Sequence, residues 1–425
     1  MRHQLYNLSC AIVSLCTTLP TFASDFSLPF VNSSGLGVAY ADWATAAADA
    51  STAYTNPAGL VNLPHQQVVI NLLGITGTAQ FSGTAITPPF PFPFPIVQSG
   101  VARSRINAFS PSFYYAAPVS KRISFGFHFN APFGLGTKYP SDVSGVTRFA
   151  ATRSEVLGLD LGPSVGVKLT DWISVGAGFD ALHLAFTLNN RYGPPISFAP
   201  DTVLQNHLDG WGYGWHAGTL LQLGSMTRIG FSYNSQIGVD TTGYSMLTPA
   251  FSPALRTKAQ RTSAALPGRA QLSIQQDFTP RWTGMATAFY TNWRVFKNIT
   301  MENTLIPDGQ TLSVSIPFNY HNCFDYSVGA AFKATEKLKL RAGIEFMNTP
   351  SNDHDRGVAD PIGSATILTL GTHFQASETL GFDLGVGHSF FKESPINYNS
   401  SVTSLKGHTN SQTTVIGGQI NWNII

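Results

Sequence analysis

Hydrophobic and polar residues alternate with a period of two through most of the chain. In segment 338–346, apolar residues alternate with Lys339, Arg341, Gly343 and Glu345. Successive side chains of a β-strand point to opposite faces, so this segment has one apolar face and one face of glycine and isolated charges. The pattern favours a closed barrel with lipid outside and a polar or filled lumen over a soluble sandwich.

Fourteen segments with this character predict fourteen antiparallel strands. They span residues 66–81, 105–116, 123–131, 154–167, 174–188, 211–223, 227–238, 269–277, 283–296, 325–332, 338–346, 365–374, 379–391 and 413–423. Seven long connections alternate with six tight turns between them. This asymmetry is typical of outer-membrane barrels, whose short turns face the periplasm. The predicted fold is therefore an all-β, 14-stranded transmembrane barrel over residues 66–425.

The residues that precede the first strand divide into two segments. Residues 1–23 have a short polar start, an apolar stretch and small residues at the end, which predicts a signal peptide for export. Residues 24–65 are rich in Ala, Ser, Gly and Asn and belong to no predicted strand. We expect this segment to fill the lumen as a plug, and the alternative is a disordered periplasmic leader.

The composition excludes several other classes of protein. Only 11% of the residues are charged, against about 25% in an average soluble domain, which argues against a cytosolic enzyme. The formal net charge of +2 and the scattered Lys and Arg give no field for nucleic acid. One thiol, Cys323, remains after the predicted signal peptide, so we expect no internal disulfide, and we expect neither a cofactor nor a metal.

Two stretches of the N-terminal segment carry a resemblance to a known family. Residues 33–40 (SSGLGVAY) and 49–60 (DASTAYTNPAGL) resemble the hatch of the FadL family of outer-membrane transporters of long-chain fatty acids and other hydrophobic compounds. Blocks at 134–137, 176–179 and 212–218 resemble the family in the same order. The resemblance implies a barrel blocked by a hatch, ligand capture by outer loops, and sideways release through a gap at a kinked third strand.

The residues of a ligand pocket follow partly from the alternation and partly from the resemblance. The predicted fifth strand places Leu182, Leu184 and Phe186 on the lumenal face, unless a bulge returns them to lipid. By resemblance, Arg191 matches a lumenal arginine near the ligand carboxylate, and Phe26 matches an N-terminal aromatic residue that reaches into the pocket. The alternative for Arg191 is a solvated loop residue. A lysine that the family carries in the fifth outer loop has no clear match here.

The resemblance also implies a gate and a capture surface. Asn56, Pro57 and Ala58 would form the gating turn of the hatch, and Pro57 makes this triplet a rigid elbow whether or not it gates. In the family, the third and fourth outer loops form the initial groove. The candidates for this groove are Pro194, Pro195, Ile196, Phe198, Met246, Leu247 and Phe251.

Two motifs that suggest other chemistry are set aside. Residues 162–166 fit the Gly-x-Ser-x-Gly pattern of hydrolases, but that pattern needs a strand-to-helix elbow, and no helix is predicted there. Residues 353–355 (DHD) lack the spacing of a calcium loop. We therefore expect a passive, non-enzymatic transporter in the outer membrane of a Gram-negative bacterium.

The expected partners follow from this assignment. We expect the ligand to be a long-chain fatty acid or a similar hydrophobic molecule, and the protein to be a monomer in contact with outer-membrane lipid and lipopolysaccharide. Uptake of small aromatic hydrocarbons by the same route is the alternative. The further alternatives are a general porin and an outer-membrane lipid hydrolase or adhesin.

Overall fold

The architecture is that of a single closed antiparallel sheet. The structure is a computed structural model that describes residues 27–28, 30–88, 95–142, 144–192, 202–249, 253–306, 309–400 and 403–424. The strands are β1 (Gln66–Thr87), β2 (Ile96–Pro118), β3 (Ile123–Lys138), β4 (Arg153–Lys168), β5 (Ile173–Tyr192), β6 (Thr202–Leu223), β7 (Thr227–Asn234), β8 (Ile237–Thr248), β9 (Leu255–Leu266), β10 (Arg269–Asp277), β11 (Trp282–Thr291), β12 (Asn298–Leu305), β13 (Thr311–Pro317), β14 (Cys323–Lys333), β15 (Leu338–Met347), β16 (Ala365–Gln375), β17 (Leu380–Phe391), β18 (Ser394–Asn399) and β19 (Ser404–Ile424). The helices are α1 (Ser33–Leu36), α2 (Thr52–Thr55) and two 3₁₀ helices at Pro57–Asn62 and Trp293–Val295.

Fourteen of these strands form the wall of the barrel. The wall runs through β1 to β7, β10, β11, β14 to β17 and β19, and it closes because β1 pairs with β2 on one side and with β19 on the other. Each predicted segment overlaps one wall strand, so the predicted 14-stranded barrel is confirmed. The predicted segments 227–238 and 283–296 extend too far, because β7 ends at Asn234 and β11 ends at Thr291. None of the helices in the described residues is long and apolar enough to cross a membrane.

The remaining five strands correct the prediction that the long connections are loops. β8 and β9 form a hairpin on the end of β6, β12 and β13 form a second hairpin beside β9, and β18 pairs with β19. β9 alternates Arg256, Lys258 and Gln260 with small residues. It therefore lacks the apolar lipid-facing side from which the wall strands were identified, and it was predicted as a loop. All five strands lie at the end of the barrel away from the tight turns.

The alternation of side chains across the wall is as predicted. Leu340 and Leu370 are exposed on the outer surface of the barrel, whereas Glu345 and Asp383 are buried in the lumen. Trp211, Tyr213 and Trp215 on β6 are also exposed outside. Ser164 of the hydrolase-like motif lies in the middle of β4 and in no elbow.

The six tight turns are also as predicted, and five of them share one device. A Ser or Thr hydroxyl oxygen in the turn accepts a hydrogen bond from the backbone N–H three residues later, where the next strand begins. The residues concerned are Ser120, Thr170, Thr279, Thr335 and Ser377. The sixth turn instead contains Gly224 at φ +69°, in the left-handed region that favours glycine. Side-chain acceptors of this kind stabilise turns.

Residues 30–65, which we call the hatch, pack inside the barrel. α1 contacts β16, β17 and β19, and the 3₁₀ helix Pro57–Asn62 contacts β3 to β6. The wall approaches this closely because glycines face the hatch: a Cβ on Gly176 would overlap the backbone of Pro57, and a Cβ on Gly343 would overlap the backbone of Val38. The predicted plug thus lies in the lumen, whereas residues 1–23 lie outside the described residues.

Polar side chains of the wall bind the backbone of the hatch. The Thr287 hydroxyl donates to the carbonyl of Ala41 (2.7 Å), and the Ser174 hydroxyl donates to the carbonyl of Ala58 (2.8 Å). The Ser273 hydroxyl oxygen accepts from the N–H of Ala44 (2.9 Å). Buried backbone groups need hydrogen-bond partners, and the wall hydroxyls supply these partners to the hatch.

We expect Gly176→Val to displace the hatch and leave the barrel intact. The added side chain meets the backbone of Pro57, and overpacking of this kind costs about 1–3 kcal/mol. Single-channel conductance in planar bilayers should therefore increase. Gly100→Val is the matched control, because a Cβ on Gly100 meets no atom within 4 Å. Equal conductance of the two variants would contradict the expectation.

Candidate functional site

An apolar cluster fills the lumen beyond the hatch. Leu182, Leu184 and Phe186 of β5 are buried at 1%, 0% and 2% exposure. The register of β5 with β6 is continuous from Ile173 to Tyr192, so no bulge between these two strands returns the three side chains to lipid. The lumenal face of β5 therefore changes from polar to apolar, as expected. The cluster also includes Leu208, Val239, Leu266, Trp293, Phe296 and Tyr320.

Above this cluster, an outer cavity of about 260 Å³ opens among the long connections. Leu188, Phe318 and Tyr320 contribute to both the cluster and the lining of the cavity. The described residues that line the cavity include Asp355 and Asp360 but no Lys or Arg. Asp360 accepts a hydrogen bond from the hydroxyl of Tyr320 (2.7 Å). The cavity therefore offers an apolar surface with polar groups but, among these residues, no cationic partner for a carboxylate.

Arg191 lies at the outer end of β5, close to the loop that follows β3. Its side-chain Nε donates to the carbonyl of Ser141 (2.8 Å), and its backbone N–H donates to the carbonyl of Arg148 (2.7 Å). Its odd position places it on the opposite face of the strand from Leu184 and Phe186. Arg191 is not among the described lining residues of the outer cavity.

The wall is interrupted between β2 and β3. These strands pair only from Phe113 to Pro118 on β2, although β2 continues to pair with β1 as far as Ile96. β3 has a bulge in its pairing with β4 between Asn130 and Phe133. Pro132 lies in this bulge and has no N–H to donate to a neighbouring strand. The pairing of β3 with β2 therefore ends where the bulge begins.

The N-terminal end of the described chain occupies this gap. The N–H of Leu28 donates to the carbonyl of Pro132 (2.8 Å), and Ser27 forms an antiparallel bridge with Phe133. The Leu28 side chain lies against Gly134, where a Cβ would meet it at 2.6 Å. Sequence reasoning missed this contact, because the predicted third strand ends at residue 131 whereas β3 continues past Pro132 to Lys138.

A lateral cavity of about 280 Å³ lies beside the gap. Leu28 and Phe30 line it from the lumenal side. Phe109 and Leu157, which are 77% and 47% exposed on the outer surface, line it from the wall. Glu155 is the one ionisable residue among its described lining residues. This lateral cavity thus lies between the lumen and the lipid-facing surface.

The hatch elbow has the rigid geometry expected from its sequence. Asn56 is extended (φ −161°, ψ 97°), and Pro57 begins the 3₁₀ helix. The Asn56 amide donates to the carbonyls of Ala44 (2.6 Å) and Thr219 (3.1 Å), and its Oδ1 accepts from the N–H of Ala58 (3.1 Å). One buried side chain thus joins two parts of the hatch to β6.

The predicted capture residues are only partly described. Met246 and Leu247 lie on β8, where Leu247 is buried against Leu204 and Leu305 and Met246 is half-buried. The other capture candidates lie outside the described residues, namely Pro194, Pro195, Ile196, Phe198 and Phe251, and so does the pocket candidate Phe26.

The surroundings shift the pKa values of ionisable groups in the hatch, among them Asp42 and Tyr54. Burial raises the pKa of the half-buried Asp42 carboxyl to about 6, although the guanidinium of Arg341 opposes the change. Burial also raises the pKa of the Tyr54 hydroxyl, and the nearby carboxyls of Asp160 and Asp180 add to the effect. Both groups therefore favour the neutral form more than they would in water.

The geometry of a plugged barrel with an apolar lumen and a wall gap defines an outer-membrane transport protein. The family model described as "Outer membrane protein transport protein (OMPP1/FadL/TodX)" matches residues 14–423. The chain belongs to this family. It is a transporter of hydrophobic compounds in the Gram-negative outer membrane, and it is not an enzyme.

Individual relatives are similar over nearly their whole length. Outer membrane protein P1 of Haemophilus influenzae is 27% identical over 402 residues, which cover 86% of each chain. The long-chain fatty acid transport protein of Escherichia coli (strain K12) is 22% identical, with 91% of this chain and 92% of that protein covered.

Solved structures share the fold. A FadL homologue from Pseudomonas aeruginosa has a TM-score of 0.83 at 20% identity, with 94% of this chain and all of that chain covered. The CymD monoaromatic hydrocarbon channel has a TM-score of 0.69 at 18% identity, with 93% and 97% covered.

We expect Asn56→Ala to loosen the hatch. The substitution leaves the carbonyls of Ala44 and Thr219 without this donor, and an unsatisfied buried polar group costs about 1–3 kcal/mol. Hydrogen exchange of the backbone amides in residues 52–62 should become faster. Asn298→Ala removes an exposed amide on β12 and should change nothing in the hatch; unchanged exchange in Asn56→Ala would contradict the expectation.

We also expect the stability of the hatch to depend on pH through Asp42. Its pKa is raised from an ordinary value of 3.8 to about 6, so its contribution is full below pH 3.8 and is lost as the pH rises through 6. After correction for intrinsic rates, the hatch amides should be less protected at pH 7.5 than at pH 5. Asp42→Asn should remove the difference, and Asp171→Asn in a tight turn should retain it. A difference that survives in Asp42→Asn would refute this assignment.

Proposed function

We propose that the protein takes up long-chain fatty acids or similar hydrophobic molecules passively, as a monomer surrounded by outer-membrane lipid and lipopolysaccharide. An apolar chain left in a water-filled pore would forgo about 0.8 kcal/mol per CH₂ group. An apolar lumen of the kind formed around Leu184 and Phe186 avoids this loss. The names of the curated relatives, which include long-chain fatty acid transport proteins, support this ligand class.

The proposed route begins at the outer loops and ends in the bilayer. Ligand enters the outer cavity, passes along the apolar cluster, and reaches the lateral cavity next to the gap between β2 and β3. Binding there displaces Leu28 from Gly134 and loosens the hatch around its elbow. Ligand then leaves sideways into lipid, past Phe109 and Leu157.

The observation that carries this proposal is the position of Ser27 and Leu28. They fill a gap that the bulge at Pro132 leaves in an otherwise continuous wall, and the lateral cavity adjoins them on its lumenal side. A polar solute gains nothing from an apolar cavity that opens toward the lipid at a gap in the wall. The same feature therefore argues against the porin alternative.

Small aromatic hydrocarbons are a second candidate class of ligand. The described lining residues of the outer and lateral cavities include no Lys or Arg. A neutral hydrocarbon needs no such partner, whereas a fatty acid carboxylate gains from one. Under the fatty-acid proposal, Arg191 at the outer end of β5 supplies this charge after its guanidinium releases the carbonyl of Ser141 and turns toward the ligand.

The test is ligand binding by the purified, detergent-solubilised protein. We expect saturable binding of a fluorescent long-chain fatty acid, weakened about 10- to 100-fold in Arg191→Ala through loss of a charged hydrogen bond. Arg103→Ala is the control, because Arg103 is an exposed residue of β2 that binds Gln80. Toluene should not compete.

Other outcomes of this experiment distinguish the alternatives. Displacement by toluene, with Arg191→Ala behaving as wild type, would identify neutral aromatic hydrocarbons as the ligands. Absence of saturable binding for both ligands would overturn the transporter proposal for these molecules.

Lateral release is tested by closing the gap covalently. We expect the pair Ser27→Cys and Phe133→Cys to form a disulfide, because residues of an antiparallel bridge lie within the reach of one. The oxidised variant should bind ligand but fail to support uptake by cells, and reduction should restore uptake. The two single substitutions are the controls. Unimpaired uptake by the oxidised variant would mean that ligand leaves elsewhere.

A further inference from the structure

Four ionisable side chains meet on the inner wall behind the hatch. They are His128 on β3, Asp160 on β4, Asp180 on β5 and His216 on β6, one from each of four consecutive strands. Their side chains are between 0% and 3% exposed. The transport route proposed above uses none of them.

Strand register and small residues bring the four together. His128 pairs with Gly162 across β3 and β4, and Gly178 pairs with His216 across β5 and β6. A Cβ on Gly178 would overlap the imidazole of His216. Glycine at this position therefore leaves the space that the ring occupies between the strands.

The hydrogen bonds of His216 leave a proton unaccounted for. Its Nε2 lies 2.9 Å from the carbonyl oxygen of Ala53, and a carbonyl only accepts, so Nε2 must donate. Its Nδ1 lies 2.6 Å from Oδ1 of Asp180. A neutral imidazole has one N–H, so a second cation or proton must lie between Nδ1 and the carboxyl group.

His128 and Asp160 are short of partners as well. Neither ring nitrogen of His128, nor Oδ1 of Asp160, has a hydrogen-bond partner in the part of the chain that the structure describes. The His128 Nε2 lies 3.6 Å from Oδ2 of Asp160 and 3.6 Å from Oδ1 of Asp180. Buried polar atoms without partners are costly, and these distances are too long for hydrogen bonds but suit atoms that share a central ion.

We propose that His128, Asp180 and His216 bind one divalent transition-metal ion of the Zn²⁺ class, and that the carboxyl of Asp160, 3.6 Å from Nε2 of His128, turns to complete the site. Candidate ligand atoms of the first three lie within 4.8 Å of one another. Zinc binds imidazole nitrogen and carboxylate oxygen at about 2.0–2.2 Å in a tetrahedron, which places ligand atoms about 3.5 Å apart. The 3.6 Å separations fit this directly, and the 2.6 Å contact opens when the ion replaces the shared proton.

The surroundings are consistent with such an ion. Two imidazoles favour Zn²⁺, Cu²⁺ or Ni²⁺ over Ca²⁺ or Mg²⁺, which prefer oxygen ligands. A small cavity of about 50 Å³, lined in part by Asp160, Asp180 and Tyr54, adjoins the site and has room for water. The bound ion would join four strands of the wall, and through the bond from His216 to Ala53 it would hold the hatch against them.

The test uses the full-length exported chain without a histidine tag, purified in detergent, stripped with a chelator and titrated with Co²⁺. We expect one Co²⁺ per chain, with the visible absorption of a tetrahedral ion, and displacement by Zn²⁺. His128→Gln and Asp180→Asn each remove a direct ligand and should weaken binding by at least about 100-fold, because loss of a residue that merely orients a ligand already costs about 10–100-fold. His183→Gln is the matched control, because His183 and Asp209 form an exposed His–Asp pair on β5 and β6 (3.2 Å).

The wild-type titration decides the question even where a variant does not fold. Wild-type protein that takes up no stoichiometric Co²⁺ would overturn the proposal. Equal affinity in folded His128→Gln and wild type would also overturn it, as would a loss of binding in His183→Gln that matched the loss in His128→Gln. None of these outcomes depends on whether the protein transports fatty acids.

Discussion

The structure depends on the close approach of the hatch backbone to the inner wall of the barrel. Gly176 and Gly343 permit this approach, and hydroxyls such as those of Ser174 and Thr287 bind the carbonyls that it buries. A hatch made of short helices exposes many backbone groups that its own hydrogen bonds leave unsatisfied. The wall is therefore small or polar where it meets the hatch backbone, while apolar wall residues such as Leu73 and Phe289 pack against hatch side chains such as Trp43.

Much of this arrangement was predictable because a wall strand has an unambiguous period. Alternation predicted a lumenal side for Glu345, and for Leu182 in the absence of a bulge, and both residues are buried there. The hairpin of β8 and β9 was not predictable in this way, since strands outside the membrane need no lipid-facing side. Long-range pairing was also missed: the bridge between Ser27 and Phe133 joins residues that no local pattern relates.

The candidate site shows the same division. The elbow at Asn56 and Pro57 is a local property of the sequence, and its extended geometry follows from proline. The approach of His128 to Asp180 depends instead on the register of three strands, which only the folded barrel supplies. Arg191 combines both kinds of information. Family resemblance suggested its role, whereas its position along β5 determines which face of the strand its side chain occupies.

The Ser and Thr turns set the register of the strands that follow them. Each turn, such as those at Thr170 and Thr335, fixes where the next strand starts. Because the side-chain period is two, the loss of one residue there would turn every later side chain of that strand from lumen to lipid. Insertions and deletions should therefore be tolerated in the long outer connections but should disrupt the strands when they fall in the tight turns. Differences in ligand choice between relatives should accordingly be concentrated in the outer connections.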